Sequence, residues 1–401
     1  MPKVLRILNR FNLGGPTYNA AYLTKFMAPE FETLLIGGSI EETEKNSEYI
    51  VRQLGIEPTI IPEMKRSLTV RNDFLAYNKI KEIIKIFKPD IVHTHASKSG
   101  ALGRYAASKM KVPIIIHTFH GHVFDAYFNN VKNNFYKTIE RNLAKISTQI
   151  IAISDIQKNE LSNIYNICKP EKISVIPLGF DLFRFHEDIF LKRIYFRKKF
   201  ALDENEIAVG IIGRLVPVKN HELFLKAFAN VLSRTNKKIR AFIIGDGEEK
   251  ENLKNICKEL ELDYEEASSS ERKSMVTFTS WIKEADVAIA GMDIIALTSL
   301  NEGTPVSLIE AQAGNKPIVS TRVGGIENVV IENGTALLSD SNDINGFSDN
   351  LLKMVDDDGL RNAFSKDGWL FVKDKFHYER LVNDMKILYN QLLKENSNKQ
   401  P

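Results

Sequence analysis

Glu302 and Glu310 stand with seven residues between them in the run I-I-A-L-T-S-L-N-E-G-T-P-V-S-L-I-E-A-Q-A-G, residues 294–314. The apolar opening, 294–298, reads as a buried strand that leaves into a polar loop. Thr304 is the expected helix N-cap, Pro305 the expected first helical residue and Gly314 the expected stop. Glu302 then lies in the loop and Glu310 inside the helix, with the amides of Gly303, Thr304, Val306 and Ser307 at the helix's amino end. Such amides lack intrahelical acceptors and carry partial positive charge, which suits an anion such as a phosphate. A second pair has the opposite sign. A-V-G-I-I-G-R-L-V-P-V-K-N, residues 208–220, is an apolar strand running into Arg214 and Lys219. A forked guanidinium and a point-charge ammonium at the carboxyl end of a buried strand can hold two phosphates. By spacing alone, each pair also fits ordinary solvated charge.

The elements that must position these groups follow from periodicity. A short apolar strand, 318–320, comes directly after the helix that carries Glu310, completing a βαβ unit. The loop leaving such a unit's first strand opens at the carboxyl edge of a sheet, where α/β proteins bind ligands. The chain begins with another strand and turn, V-L-R-I-L-N-R then F-N-L-G-G-P-T-Y-N, in which Gly14 and Gly15 let backbone approach a ligand closely. Residues 33–37, 59–62, 91–94, 114–116 and 150–154 read as further strands, with helical spacing over 74–87 and 124–146. Strands alternating with helices predict parallel sheets covered on both faces. The same pattern restarts at residue 208, so each half reads as its own doubly wound unit. The expected domains are 1–185 and 198–377, with the linker between 182 and 197. A last helix over 378–393 has Leu381, Met385, Leu388 and Leu392 at core spacing, and the polar tail from Lys394 reads as frayed.

Five of the eight histidines fall between residues 93 and 122. They include no helical i, i+4 pair and no nearby Cys, so a zinc cluster is not expected. His120, at a strand exit, is the functional candidate, a hydrogen-bonded core residue being the other reading. The helix over 124–146 interleaves Lys132, Lys137, Arg141 and Lys145 with Phe128, Phe135 and Tyr136, which fits either a solvated helix with a core-facing aromatic side or a surface toward anionic lipid.

The run E-G-T-P-V-S-L-I-E-A resembles the E-x7-E signature of family 4 retaining glycosyltransferases, and G-R-L-x-x-x-K-N resembles that family's diphosphate clamp. F-I-I-G-D-G at Gly245 and V-T-F-T-S-W at Ser280 and Trp281 are similar to two further family motifs, with Ser280 in place of the usual Gly. The resemblance covers nearly the whole chain. It implies a GT-B fold, two Rossmann-like domains facing across a cleft, with the nucleotide sugar held mainly by the second and the acceptor by the first. It implies that the last helix folds back onto the first domain. It further implies that Arg214 and Lys219 hold the diphosphate, Glu310 the ribose hydroxyls and Glu302 the transferred sugar. The backbone at Ser280 and Trp281 would read the nucleobase, the Gly14–Gly15 turn would face the diphosphate, and His120 would touch the donor sugar. His120, Glu302, Arg214 and Lys219 are therefore the expected catalytic set. Gly14, Gly15, Gly245, Ser280, Trp281, Gly303, Thr304, Val306 and Glu310 complete the donor site.

Composition narrows the setting. Of 401 residues 43% are apolar and 26% charged, with a net charge of +3. Such a length exceeds one ordinary core, and such a charge is well short of a nucleic-acid footprint. The two cysteines, Cys168 and Cys257, are far apart and argue against a disulfide framework. No apolar run reaches 18 residues, and the opening reads as a strand rather than a secretory leader. The expectation is a cytoplasmic enzyme, free to touch the inner membrane face peripherally. It would move sugar from a UDP- or GDP-sugar to a glycan or lipid-linked acceptor in surface polysaccharide synthesis, using no metal and no cofactor. A sugar-nucleotide 2-epimerase of the same fold and a non-catalytic sugar-binding module are the alternatives.

Overall fold

The computed structural model describes residues 1–11, 15–39, 48–65, 67, 69–121, 130–266 and 274–398. The chain divides into two compact units, Met1–Phe180 joined by Phe376–Pro401, and Asp181–Lys375.

Among the described residues the first unit has seven strands, β1 (Lys3–Arg10), β2 (Glu32–Gly38), β3 (Thr59–Ile61), β4 (Ile91–His95), β5 (Ile114–Thr118), β6 (Gln149–Ala152) and β7 (Ile173–Val175). They form one parallel sheet in the order β3-β2-β1-β4-β5-β6-β7. Side chains alternate across a strand, so each strand feeds two cores. Val4, Ile91, Ile114 and Ile116 join one cluster, while Leu5, Ile7, Val92 and Ile115 join the other. The helix Val70–Phe87 covers the second face with Ala76, Ile80 and Ile84. The first face receives the helix Tyr378–Ser397, whose Leu381, Met385, Leu388 and Leu392 repeat at helical spacing and pack on Val4 and Ile116. That helix continues through Ser397 instead of fraying from Lys394, because its i, i+4 hydrogen bonds extend one turn beyond the last core residue. The helix expected over 124–146 is described from Asn130 to Ile146; residues 124–129 lie outside the described set. Along it, Tyr136 packs inward and Phe135 is exposed. Of its cations, Arg141 donates to the carbonyls of Tyr165 and Asn166.

The second unit has its own seven described strands, β8 (Ile207–Ile212), β9 (Ile239–Ile244), β10 (Tyr264–Glu266), β11 (Val276–Ser280), β12 (Ile294–Leu297), β13 (Ile318–Thr321) and β14 (Ala336–Ser339). All pair in parallel, in the order β10-β11-β9-β8-β12-β13-β14. One face is covered by Phe224, Phe228 and Val231 of the helix His221–Leu232 and by Phe347 and Leu351 of the helix Ile344–Asp356. On the other face Phe196 and Phe200 both meet Phe242 edge-on and are tilted to each other.

The linker expected between residues 182 and 197 is instead two helices, Phe183–His186 and Ile189–Lys199, and both belong to the second unit. The chain passes between units at Phe180 and Asp181, earlier than the expected 185–198. The second helix is fastened by paired cations: Arg193 and Arg197 both reach Asp293, and Lys192 reaches Asp286. A run as basic as L-K-R-I-Y-F-R-K-K resembles a solvated connector in sequence. Only the acids of distant segments turn it into a docked helix.

Candidate active site

In the second sheet, strand order runs outward in opposite directions from β8 and β12. The carboxyl edge at two such neighbours is where open α/β sheets bind ligands. The loop after β8 carries Arg214 and Lys219 and ends in the short 3-10 turn Pro217–Lys219. The loop after β12 carries Glu302. The two are laced together by backbone: Leu300 N–H donates to the Val218 carbonyl at 2.8 Å, and Thr298 Oγ1 to the Lys219 carbonyl at 3.2 Å.

Lys219 and Glu302 meet directly. Lys219 Nζ lies 2.5 Å from Glu302 Oε1, and Ser299 Oγ donates to the same oxygen at 2.6 Å. Oε2 has no partner among the described residues. Arg214 is exposed, and its guanidinium makes no ion pair among the described residues. The helix carrying Glu310 is Val306–Ala313, with Gly314 as its C-cap. The expected N-cap shifts by one residue: Pro305, not Thr304, holds that position and offers no side-chain cap. Thr304 thus stays in the loop with Gly303, and the amides of Val306 and Ser307 are the first of the helix, without intrahelical acceptors. A cation pair, an open carboxylate oxygen and a set of unfilled amides can together take an anion that also carries hydroxyl groups.

Glu310 is chemically different from Glu302. Burial pushes its carboxyl up to about 7, with Arg184 pulling the other way and Asp286 adding to the rise. No side-chain hydrogen bond to it exists among the described residues. The folded pKa lies above the ordinary carboxylate value, so as pH rises toward 7 the unfolded chain ionises while the fold stays protonated, and the ligand-free fold loses stability. A ligand whose hydroxyls donate to that carboxylate favours the charged form. If Glu310 accepts from ribose hydroxyls, as the resemblance implies, nucleotide affinity should weaken by up to about tenfold per pH unit below that value, and Glu310→Gln should remove this component. Calorimetric titration of both chains with UDP between pH 5 and 8 checks this on the roughly 5–8 range where such a carboxyl changes state. The difference between them separates the carboxyl from the nucleotide's own phosphate titration, and parallel curves would exclude the role.

Gly245 has φ +155°, and a Cβ there would stand 1.8 Å from the Gly213 carbonyl oxygen. Only glycine lets the turn after β9 lie against the Arg214 loop. Gly245 N–H also donates to the Ser280 carbonyl at 3.1 Å. Ser280 itself ends β11 at a β-bulge with φ +53°, in the left-handed region, which glycine adopts at no steric cost. The left-handed conformation costs a side-chain-bearing residue roughly 1–2 kcal/mol. Glycine's extra unfolded-state freedom costs about 0.5–1 kcal/mol. Ser280→Gly should thus raise stability by about 0.5–1 kcal/mol in denaturant melts; a fall would show that the Ser280 side chain contributes more than its backbone strain. Trp281 follows directly and is partly buried.

The remaining expected site residues belong to the first unit. Gly15 opens the helix Gly15–Phe26, while Gly14 lies outside the described residues. His120 follows β5 and is half-buried, and its Nε2 is 2.9 Å from His95 Nδ1. Among the described residues no three or more His, Cys, Asp or Glu side chains gather as metal ligands would, and no helix is long and apolar enough to cross a membrane.

Two family models match the chain, Glycosyltransferase Family 4 over residues 15–184 and Glycosyl transferases group 1 over residues 192–369. The chain is 30% identical over 331 residues to an Escherichia coli UDP-Gal:alpha-D-GlcNAc-diphosphoundecaprenol alpha-1,3-galactosyltransferase, covering 82% of each. The chain belongs to glycosyltransferase family 4. This family 4 glycosyltransferase is also 24% identical to the capsular polysaccharide biosynthesis glycosyltransferase CapM of Staphylococcus aureus, over 84% of the chain and 87% of the relative. Among solved structures, Anabaena HepE in complex with UDP superposes with a TM-score of 0.80 at 16% identity, covering 97% of this chain and 100% of that one. A Rickettsia africae glycosyltransferase gives 0.78 at 19% identity, covering 98% and 99%. The architecture is GT-B, two doubly wound units each built on a parallel sheet.

Several residues of this glycosyltransferase that the structure draws into the site carried no local signal. Arg184 and Asp286 flank Glu310 from segments distant in sequence, and Arg184 falls where a linker was expected. Ser299 was nearer to hand, since S-x-x-E brings a hydroxyl and a carboxylate within one turn of chain. His95 stood in the histidine-rich stretch, yet its partnership with His120 depends on β4 lying beside β5.

Proposed function

We propose that this glycosyltransferase moves a sugar, with retention of anomeric configuration, from a nucleotide donor to a lipid-linked glycan acceptor during surface-polysaccharide assembly. UDP is the favoured nucleotide, since the E. coli relative is named for UDP-Gal and HepE was solved with UDP. The observation that carries the reading is the Lys219–Glu302 pair beside unfilled amides at the switch point of the second sheet. Arg214, Lys219 and those amides neutralise the departing diphosphate with fixed protein charge. Glu302 Oε2 receives a hydroxyl of the transferred sugar, and Glu310 the ribose hydroxyls. The backbone around Ser280 and Trp281 reads the base, and His120 of the first unit touches the donor sugar. With no separate carboxylate poised as nucleophile among the described residues, the acceptor oxygen attacks from the face the diphosphate leaves, and the leaving phosphate oxygen takes its proton.

The test is transfer from UDP-galactose, UDP-glucose, UDP-GlcNAc and GDP-mannose to GlcNAc-diphosphoundecaprenol in the presence of EDTA, with the new linkage assigned by NMR. An α-linked product from a UDP-sugar is expected. No turnover with any donor, or an inverted linkage, would overturn the proposal; an epimerised nucleotide sugar formed without acceptor would make the protein an epimerase.

A further inference from the structure

At the carboxyl ends of β4 and β5 the first unit gathers His93, His95, His117 and His120. Alternation along the strands decides how they group. His93 and His95 face the side of the sheet occupied by Arg6 and Tyr389, and His117 faces Thr94 on the other. Arg6 Nη1 donates to His93 Nδ1 at 3.0 Å, and a guanidinium cannot accept. His93 Nδ1 therefore carries a lone pair, and its Nε2 proton goes to Thr118 Oγ1 at 2.7 Å. Tyr389, from the helix Tyr378–Ser397, places Oη 2.6 Å from the same Nδ1. His93 is thus locked in one tautomer.

His95 lies against it, tilted by 31° with ring centroids 4.3 Å apart, and its Nδ1 lies 2.9 Å from His120 Nε2. Burial, with Arg6 and the neighbouring imidazoles acting on His95, holds both rings neutral; His120 is pushed down to about 3. Two neutral imidazoles sharing one hydrogen bond have a single proton between their facing nitrogens. Of the outer nitrogens, His95 Nε2 and His120 Nδ1, one is then an N–H and the other a lone pair. Both are buried, and neither has a hydrogen-bond partner among the described residues. Unpartnered buried polar atoms are uncommon, and a bound hydroxyl is one way to satisfy them.

We propose that His95 is a positioning residue for His120: the hydrogen bond between its Nδ1 and His120 Nε2 fixes the His120 ring, and its direction sets whether His120 Nδ1 donates to, or accepts from, a hydroxyl of the donor sugar. The state of one imidazole nitrogen is set by the bond the other makes, and here that bond is shared with a ring held against a histidine that Arg6 has already locked. The inference rests on the reading that His120 touches the sugar.

The experiment compares wild type, His95→Asn, His95→Leu and His120→Ala in the transfer assay, each labelled with ring-15N histidine. Asparagine can restore a hydrogen bond near the Nδ1 position, whereas leucine cannot. His95→Leu should lower kcat/KM by roughly 10–100-fold, the usual effect of losing a partner that orients a functional imidazole. Its His120 15N resonances should move to those of a tautomer mixture, with UDP affinity unchanged because UDP is held by the second unit. His95→Asn should recover most of the activity. Equal losses in both variants, no loss in either, or unaltered His120 resonances in His95→Leu would overturn the proposal while leaving the sugar contact intact. Full activity in His120→Ala would instead remove the sugar contact, and the positioning role with it.

Discussion

Lys219→Ala is expected to lower kcat by about 10²–10³-fold, the scale set by deleting one preorganised donor to a developing oxyanion, about 3 kcal/mol. Two effects add. On the proposed reading the ammonium facing the leaving diphosphate is gone, and among the described residues Glu302 Oε1 keeps only Ser299 after losing a partner at 2.5 Å. Glu302 is nearly buried, with 8% of its side chain exposed, so its charge is poorly compensated by water and the loop it anchors should loosen. Arg214→Ala removes an exposed guanidinium that holds nothing in the ligand-free chain among the described residues. Its loss should therefore appear mainly as weaker UDP binding, without a change in melting temperature. Saturating-donor kinetics and calorimetry separate the two. A kcat for Lys219→Ala within threefold of wild type, on the roughly 10²-fold scale expected of a lost donor, would place the diphosphate elsewhere.

The second large effect comes from a methyl group. At Gly325 a Cβ would stand 1.7 Å from the Gly303 carbonyl oxygen, and Gly325 N–H already donates to the Glu302 carbonyl at 3.0 Å. Backbone cannot yield as a flexible side chain does, so Gly325→Ala must displace the loop that presents Glu302. A displacement on the order of 1 Å in a positioning group costs about 10²-fold in rate. The variant should also melt below wild type. Gly303→Ala gives the contrast, because a Cβ there meets nothing within 4 Å. It should melt like wild type, and any loss of turnover would then report a substrate occupying that space. Equal activity of Gly325→Ala and wild type would mean that the loop can relax without moving the carboxylate.

These two sites differ in how far they could be read from the chain. Glu302, Lys219 and Gly325 all stand in legible stretches, because a βαβ unit announces itself by an apolar run, a polar turn and a helix start. The helix start still differs from the expected one by one residue, since Pro305 takes the N-cap position and Thr304 is left in the loop. The basic segment after Phe180 departs further from its expected form. Its cations read as solvent-facing until Asp286 and Asp293 are known to lie beside them.

What the sequence determined by itself was local in origin: strand and helix alternation, a restart near residue 208, and cations and carboxylates at strand ends. Each is written in a period of a few residues. Only the tertiary structure decided which of these groups meet. Lys219 finds Glu302 across 83 positions because β8 and β12 are neighbours in a sheet that winds outward from them in both directions. Tyr389 reaches His93 across 296 positions because the last helix lies on the first sheet. Strand order, and the burial that raises Glu310 while holding the histidines neutral, are collective results of packing both faces of a sheet. No short window of chain carries them, since desolvation depends on every segment that excludes the water.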